Sequence, residues 1–128
     1  MKAEDLRILL CDDSLLVRKK LKSALEEQGY TRIREAADGI EAVALCREER
    51  PQLVLMDIVM PRKDGIEALK EIKELDKGIH VVMVSSVGTQ GNLIKALKAG
   101  ADNFMQKPVT IEALNELIHK LAQDRSDT

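Results

Sequence analysis

Five short runs, at residues 6–11, 31–36, 52–56, 79–84 and 102–106, divide the chain, and all but the second run directly into polar or charged residues. The third and fourth are almost continuously apolar. Their length and their bounding turn residues predict strands buried on both faces. Residues 31–36 alternate with polar positions and suit a strand nearer the sheet edge. Between these runs the apolar period changes to that of a helix. Ser14 opens a stretch with Val17, Leu21, Ala24 and Leu25 at helical spacing, and Gly29 stops it. Asp38 caps a second helix with Ile40, Val43 and Ala44 on one face. Asp64 caps a third, with Ile66, Leu69 and Ile72 inward and Asp76-Lys77-Gly78 at its end. A loop with Gly88 and Gly91 leads to a fourth helix bearing Leu93, Ile94 and Leu97, closed by Gly100. Thr110 caps a last helix bearing Ile111, Leu114, Leu117, Ile118 and Leu121, and a polar, fraying tail follows.

This is β-α repeated five times. The alternation predicts an α/β fold: a parallel sheet with helices on both faces. Right-handed crossovers then bring every strand's C-terminal end to one edge. The 128 residues fit one domain, and with 45% hydrophobic but 2% aromatic residues its core must be aliphatic. Twenty basic and 22 acidic residues leave a net charge of −2, so no basic stripe argues for direct nucleic-acid binding. Cys11 and Cys46 lie in apolar patterns and read as reduced structural thiols. No apolar run is long enough to cross a membrane, and residues 1–7 lack a signal-peptide core.

The strand ends carry the chemistry. They are Asp12 and Asp13, Ala36, Asp57, Ser85 and Ser86, and Lys107. For strand order 2-1-3-4-5 the ligand crevice lies between strands 1 and 3, where the acids fall. Crowded carboxylates repel until a proton or cation relieves them. An oxygen-only donor set selects a hard divalent ion, Mg²⁺ before Mn²⁺. A carboxylate beside Mg²⁺ and a lysine can attack phosphorus and form an aspartyl phosphate.

These residues also resemble a family. Asp12-Asp13 after the first strand, Asp57 followed by Met60-Pro61, Ser85 after the fourth strand, Lys107-Pro108 after the fifth, and the 99–104 segment look like response-regulator receiver domains of the CheY type. The resemblance covers roughly residues 6–121. It implies a flavodoxin-like sheet of order 2-1-3-4-5 flanked by five helices; with the polar end of the chain, the expected division is a receiver domain over 1–123 and a polar tail over 124–128. It further implies that Asp57 is the phosphoacceptor. Asp13 would bind Mg²⁺ directly, Asp12 partly through water, and Asp57 and the Val59 carbonyl would complete the protein's ligands. Lys107 would pair with the phosphoryl group, and its bond to Pro108 would be cis. Ser85 would be the switch hydroxyl and Phe104 the switch aromatic, a Phe where many relatives carry Tyr. Ser86 would line the phosphate access. A histidine kinase or phosphotransfer protein would be the donor. The face of the fourth helix, fifth strand and fifth helix would meet a downstream protein in the cytoplasm, in chemotaxis or another relay.

Each residue also has an ordinary reading. Asp12 and Asp13 can cap the first helix, Ser86 can be a turn residue, and Lys107 can be a solvated lysine. Their meeting on one rim favours the site. Other functions fit less well. An aspartate-nucleophile phosphatase needs an acid two residues after the nucleophile, where Val59 stands. A flavin module needs a Ser/Thr/Gly-rich phosphate loop where Asp12-Asp13 stand. The module is therefore a switch and not an enzyme with a product. Val59 and Val87 flank the position of the attacking water in this family, and neither can orient it. Slow self-dephosphorylation is the expectation.

Overall fold

The computed structural model describes residues 3–86 and 91–126. Strands β1 (Arg7–Cys11), β2 (Arg32–Ala36), β3 (Leu53–Asp57), β4 (His80–Ser85) and β5 (Asn103–Gln106) form one parallel sheet of order β2-β1-β3-β4-β5. Helices α1 (Leu15–Glu27), α2 (Gly39–Glu48), α3 (Gly65–Leu75), α4 (Gly91–Ala99) and α5 (Ile111–Ser126) connect and follow them.

Strand alternation sorts the core into two halves. Leu9 and Cys11, Val54 and Met56, and Val81 and Met83 face one side, where α2, α3 and α4 supply Val43, Leu69, Ile72 and Ala96. Ile8 and Leu10, Leu53 and Leu55, and Val82 and Val84 face the other, where Leu25 of α1 and Leu114, Ile118 and Leu121 of α5 meet them. β1, β3 and β4 thus bury both faces, the reason their sequences are so apolar. β2 and β5 are the sheet edges.

The caps fall where the polar residues sit. The side chains of Ser14, Asp38, Asp64 and Thr110 accept from the amides of Val17, Glu41, Glu67 and Ala113 at 3.3, 2.8, 2.9 and 3.2 Å. Gly29 and Gly100 take φ of +96° and +106° just past their helices, a conformation glycine adopts without strain.

Two helix faces differ from the pattern reading. In α2 the inward stripe is Gly39, Ala42, Val43 and Cys46, while Ile40 and Ala44 face outward. In α4 the buried residue is Ala96, and Ile94 and Leu97 are exposed. Both helices lie close to their neighbours and pack through small side chains, so the larger apolar residues turn away. Helix α5 runs to Ser126, into the segment read as a tail. No glycine or proline after Leu121 stops it.

Candidate functional site

β1 and β3 are hydrogen-bonded neighbours, so their C-terminal ends place Asp12 and Asp57 side by side. Asp12 and Asp57 are only 6% and 7% exposed, and Asp13 beside them is exposed. One carboxylate oxygen from each of the three lies within 4.8 Å of the other two. Lys107, just past β5, reaches back between them. Its Nζ lies 2.8 Å from Asp57 Oδ2 and 3.0 Å from Asp12 Oδ2.

The second carboxylate oxygens of Asp57 and Asp12 are also engaged. Asp57 Oδ1 accepts from the Val59 amide at 3.3 Å. Asp12 Oδ1 accepts from the Ser14 amide at 2.8 Å, so the same residue serves both the helix start and the acid cluster. Burial pushes the Asp57 carboxyl above its usual value, and Asp12 repels it further; the bond from Lys107 offsets only part of this. Burial alone would lower Lys107, but its bonds to Asp57 and Asp12 outweigh burial and raise it. It is a fixed cation at neutral pH. Among the described residues, Lys107 is the cation paired with these carboxylates, one positive charge against three negative ones.

A family model described as "Response regulator receiver domain" matches residues 8–119. The chain belongs to the response regulator receiver domain family. Chemotaxis protein CheY of Halobacterium salinarum is 45% identical over 116 residues, 88% of this chain and 96% of that one. CheY of Bacillus subtilis is 42% identical over 114 residues, 89% and 95% of the two chains. Among solved structures, a CheY-like receiver domain protein from Methanospirillum hungatei aligns with a TM-score of 0.87 at 31% identity, covering 96% of this chain and 98% of its own. A CheX–CheY–BeF₃–Mg²⁺ complex from Borrelia burgdorferi aligns at 0.82 and 32% identity, covering 91% and 88%. As a receiver domain this is a signalling module and not a classical enzyme.

The receiver fold brings Ser85, Ser86 and Pro108 to the same rim and sets Phe104 two residues below it on β5. Ser85 ends β4, 8% exposed, and its carbonyl accepts from the Lys107 amide at 2.8 Å. Ser86 follows it at the surface. Met83 pairs with Phe104 and Ser85 with Gln106, so Ser85 and Phe104 share a sheet face. Phe104 is half-buried against the core under α3 and α4. The Lys107–Pro108 peptide is cis. Val59 is 61% exposed at the mouth. Val87 and Gly88 lie outside the described residues.

Two supports are not apparent from sequence. Arg18 Nη1 donates to the Asp12 carbonyl at 2.6 Å, and its Nε to Glu35 at 3.0 Å. Arg62 reaches Asp38 from the loop after β3. Arg18 stands in a basic run that reads as a solvated face, and Asp38 reads only as a cap. No local spacing couples either pair.

Proposed function

We propose that Asp57 accepts a phosphoryl group from the phosphohistidine of a sensor kinase or phosphotransfer protein. The observation that carries this reading is a buried strand-end carboxylate grouped with Asp12 and Asp13 and held by Lys107. An Asp57 oxygen forms the new O–P bond as the donor's N–P bond breaks. The imidazole leaves with the bonding electron pair and takes a proton from water. Lys107 shifts its hydrogen bonds from Asp57 to a phosphoryl oxygen and holds the transferred charge.

The donor set suits Mg²⁺, with Mn²⁺ as a substitute, because it is oxygen-only and short of positive charge. Asp12, Asp13, Asp57 and the Val59 carbonyl would hold the ion, which would supply charge against the carboxylates and the phosphoryl oxygens.

The phosphoryl group adds acceptor oxygens beside Ser85, whose hydroxyl turns to them, and Ser86 lines the approach. Phe104 follows on the shared sheet face. The change reaches the α4–β5–α5 surface, where Ile94 and Leu97 are exposed. A downstream protein binds there, in the cytoplasm, as in chemotaxis or another phosphorelay. The same pocket supports slow hydrolysis of the aspartyl phosphate.

Incubation with acetyl phosphate and Mg²⁺, followed by intact mass, tests the reading. The wild type should gain one phosphoryl group and Asp57→Ala none. No adduct on the wild type, or an undiminished one on the variant, overturns it.

A further inference from the structure

β2 and β3 both neighbour β1, so the loops leaving them flank the one that carries Asp12 and Asp13. Those flanking loops are tied to each other. One oxygen of the buried Asp38 carboxylate accepts from Arg62 Nε at 3.0 Å and Nη2 at 2.5 Å. Its other oxygen caps α2 through the Glu41 amide at 2.8 Å. That amide bond and then Arg62 hold the Asp38 carboxyl below its usual range against the opposing effect of burial, so it is charged at neutral pH. A backbone bond repeats the tie: the Gly39 amide donates to the Lys63 carbonyl at 3.1 Å. A Cβ at Gly39 would run into that carbonyl.

Arg62 has φ +67°, the one left-handed non-glycine residue among those described. Glycine or asparagine adopts this conformation at lower cost. The arginine side chain accounts for the choice, because its fork is what reaches Asp38. The clasped loop also carries Val59. At its roots the Ile58 amide donates to Val84 at 3.1 Å and the Gly65 amide to Ile58 at 2.8 Å. The Arg62–Asp38 pair fixes its far side.

We infer that Arg62 is a positioning residue. By clasping Asp38 across the end of β1, it holds Val59 at the separation from Asp12, Asp13 and the strand-held Asp57 that lets all of them share one divalent cation. The inference rests on the proposed function for the identity of that cation site. Arg62 is itself largely exposed, so the pair adds little to global stability. Its effect falls on the loop and hence on the site.

The test is an Mg²⁺ titration followed by backbone amide NMR shifts, with urea unfolding of each metal-free protein alongside. Arg62→Gly removes the fork while relieving the left-handed backbone. It should bind Mg²⁺ about tenfold more weakly, the usual scale for a residue supporting a metal ligand, with an unchanged or raised urea midpoint. Arg62→Lys, which keeps the charge, should recover part of the affinity. Arg34→Ala, which breaks the surface Arg34–Glu48 pair, should bind as the wild type does. Wild-type affinity in Arg62→Gly, or equal weakening in Arg34→Ala, overturns the clasp. A wild type that does not bind Mg²⁺ at all removes the cation site first, and the clasp with it.

Discussion

Asp57 is a buried carboxylate whose own environment disfavours its charge, and the bond from Lys107 offsets part of that effect. The lysine bridges Asp57 and Asp12, so truncating it leaves two buried like charges facing each other with no counter-charge. Lys107→Ala should therefore slow phosphorylation by acetyl phosphate about 100-fold, the scale of losing one preorganised donor at developing charge. Initial rates at saturating Mg²⁺ measure this. Val59 is expected to act in the opposite sense. Its exposed apolar side chain offers an attacking water no hydrogen bond. A Val59→Asn, Val87→Glu double variant should lose its phosphoryl group faster than the wild type, read from adduct decay after the donor is removed. Equal or slower loss contradicts it. Asp57 was legible in the sequence because a carboxylate closing an apolar strand has no packing reason to be there. The Lys107–Asp12 contact was not, since it depends on the curl of the chain after β5.

At the level of elements, the strands and caps were readable because each is a local event. An apolar run of a few residues ended by Asp or Ser needs no partner to be recognised, and Ser14, Asp38, Asp64 and Thr110 sit at the helix starts they satisfy. The inward faces of α2 and α4 were not readable in the same way. Their apolar residues go round the helix, and the neighbouring helix decides which side is buried. Close packing selected Ala42 and Ala96 over Ile40 and Leu97. The link between α1 and β2 is likewise tertiary. Glu35 on β2 accepts from Arg18 at 3.0 Å and Lys19 at 2.8 Å, with Lys22 at 3.8 Å. Burial raises the Glu35 carboxyl, but the bonds from Lys19 and Arg18 outweigh it and the net direction is down. A lowered folded-state value means that the unfolded chain binds the proton more readily. The contribution to stability is then full above the ordinary glutamate value of about 4.3 and lost as pH falls through and below it. Glu35→Gln should lower the urea midpoint at neutral pH and flatten its decline on acidification. A parallel decline in both proteins contradicts this.

For the molecule as a whole, the sheet is a partition with a task at one edge. Two aliphatic cores, one on each face, hold β1, β3 and β4 in register. The strands deliver Asp12, Asp57 and Ser85 to one rim. The order β2-β1-β3-β4-β5 puts the acids at the crevice and sets the exposed α4 surface beyond Ser85 and Phe104. Strand order was legible through the family resemblance, and the crevice followed from it. The clasp between Asp38 and Arg62 was not, because it joins two loops whose separation along the chain carries no pattern.

The central claim is that Asp57 is the acceptor. Borohydride trapping tests it most directly, since it reduces an acyl phosphate to an alcohol and leaves free carboxylates unchanged. After incubation with acetyl phosphate and Mg²⁺, reduction and peptide mapping should find homoserine at position 57 alone. Homoserine at position 12 or 13, or a phosphoryl group that survives borohydride on a serine or histidine, would contradict it.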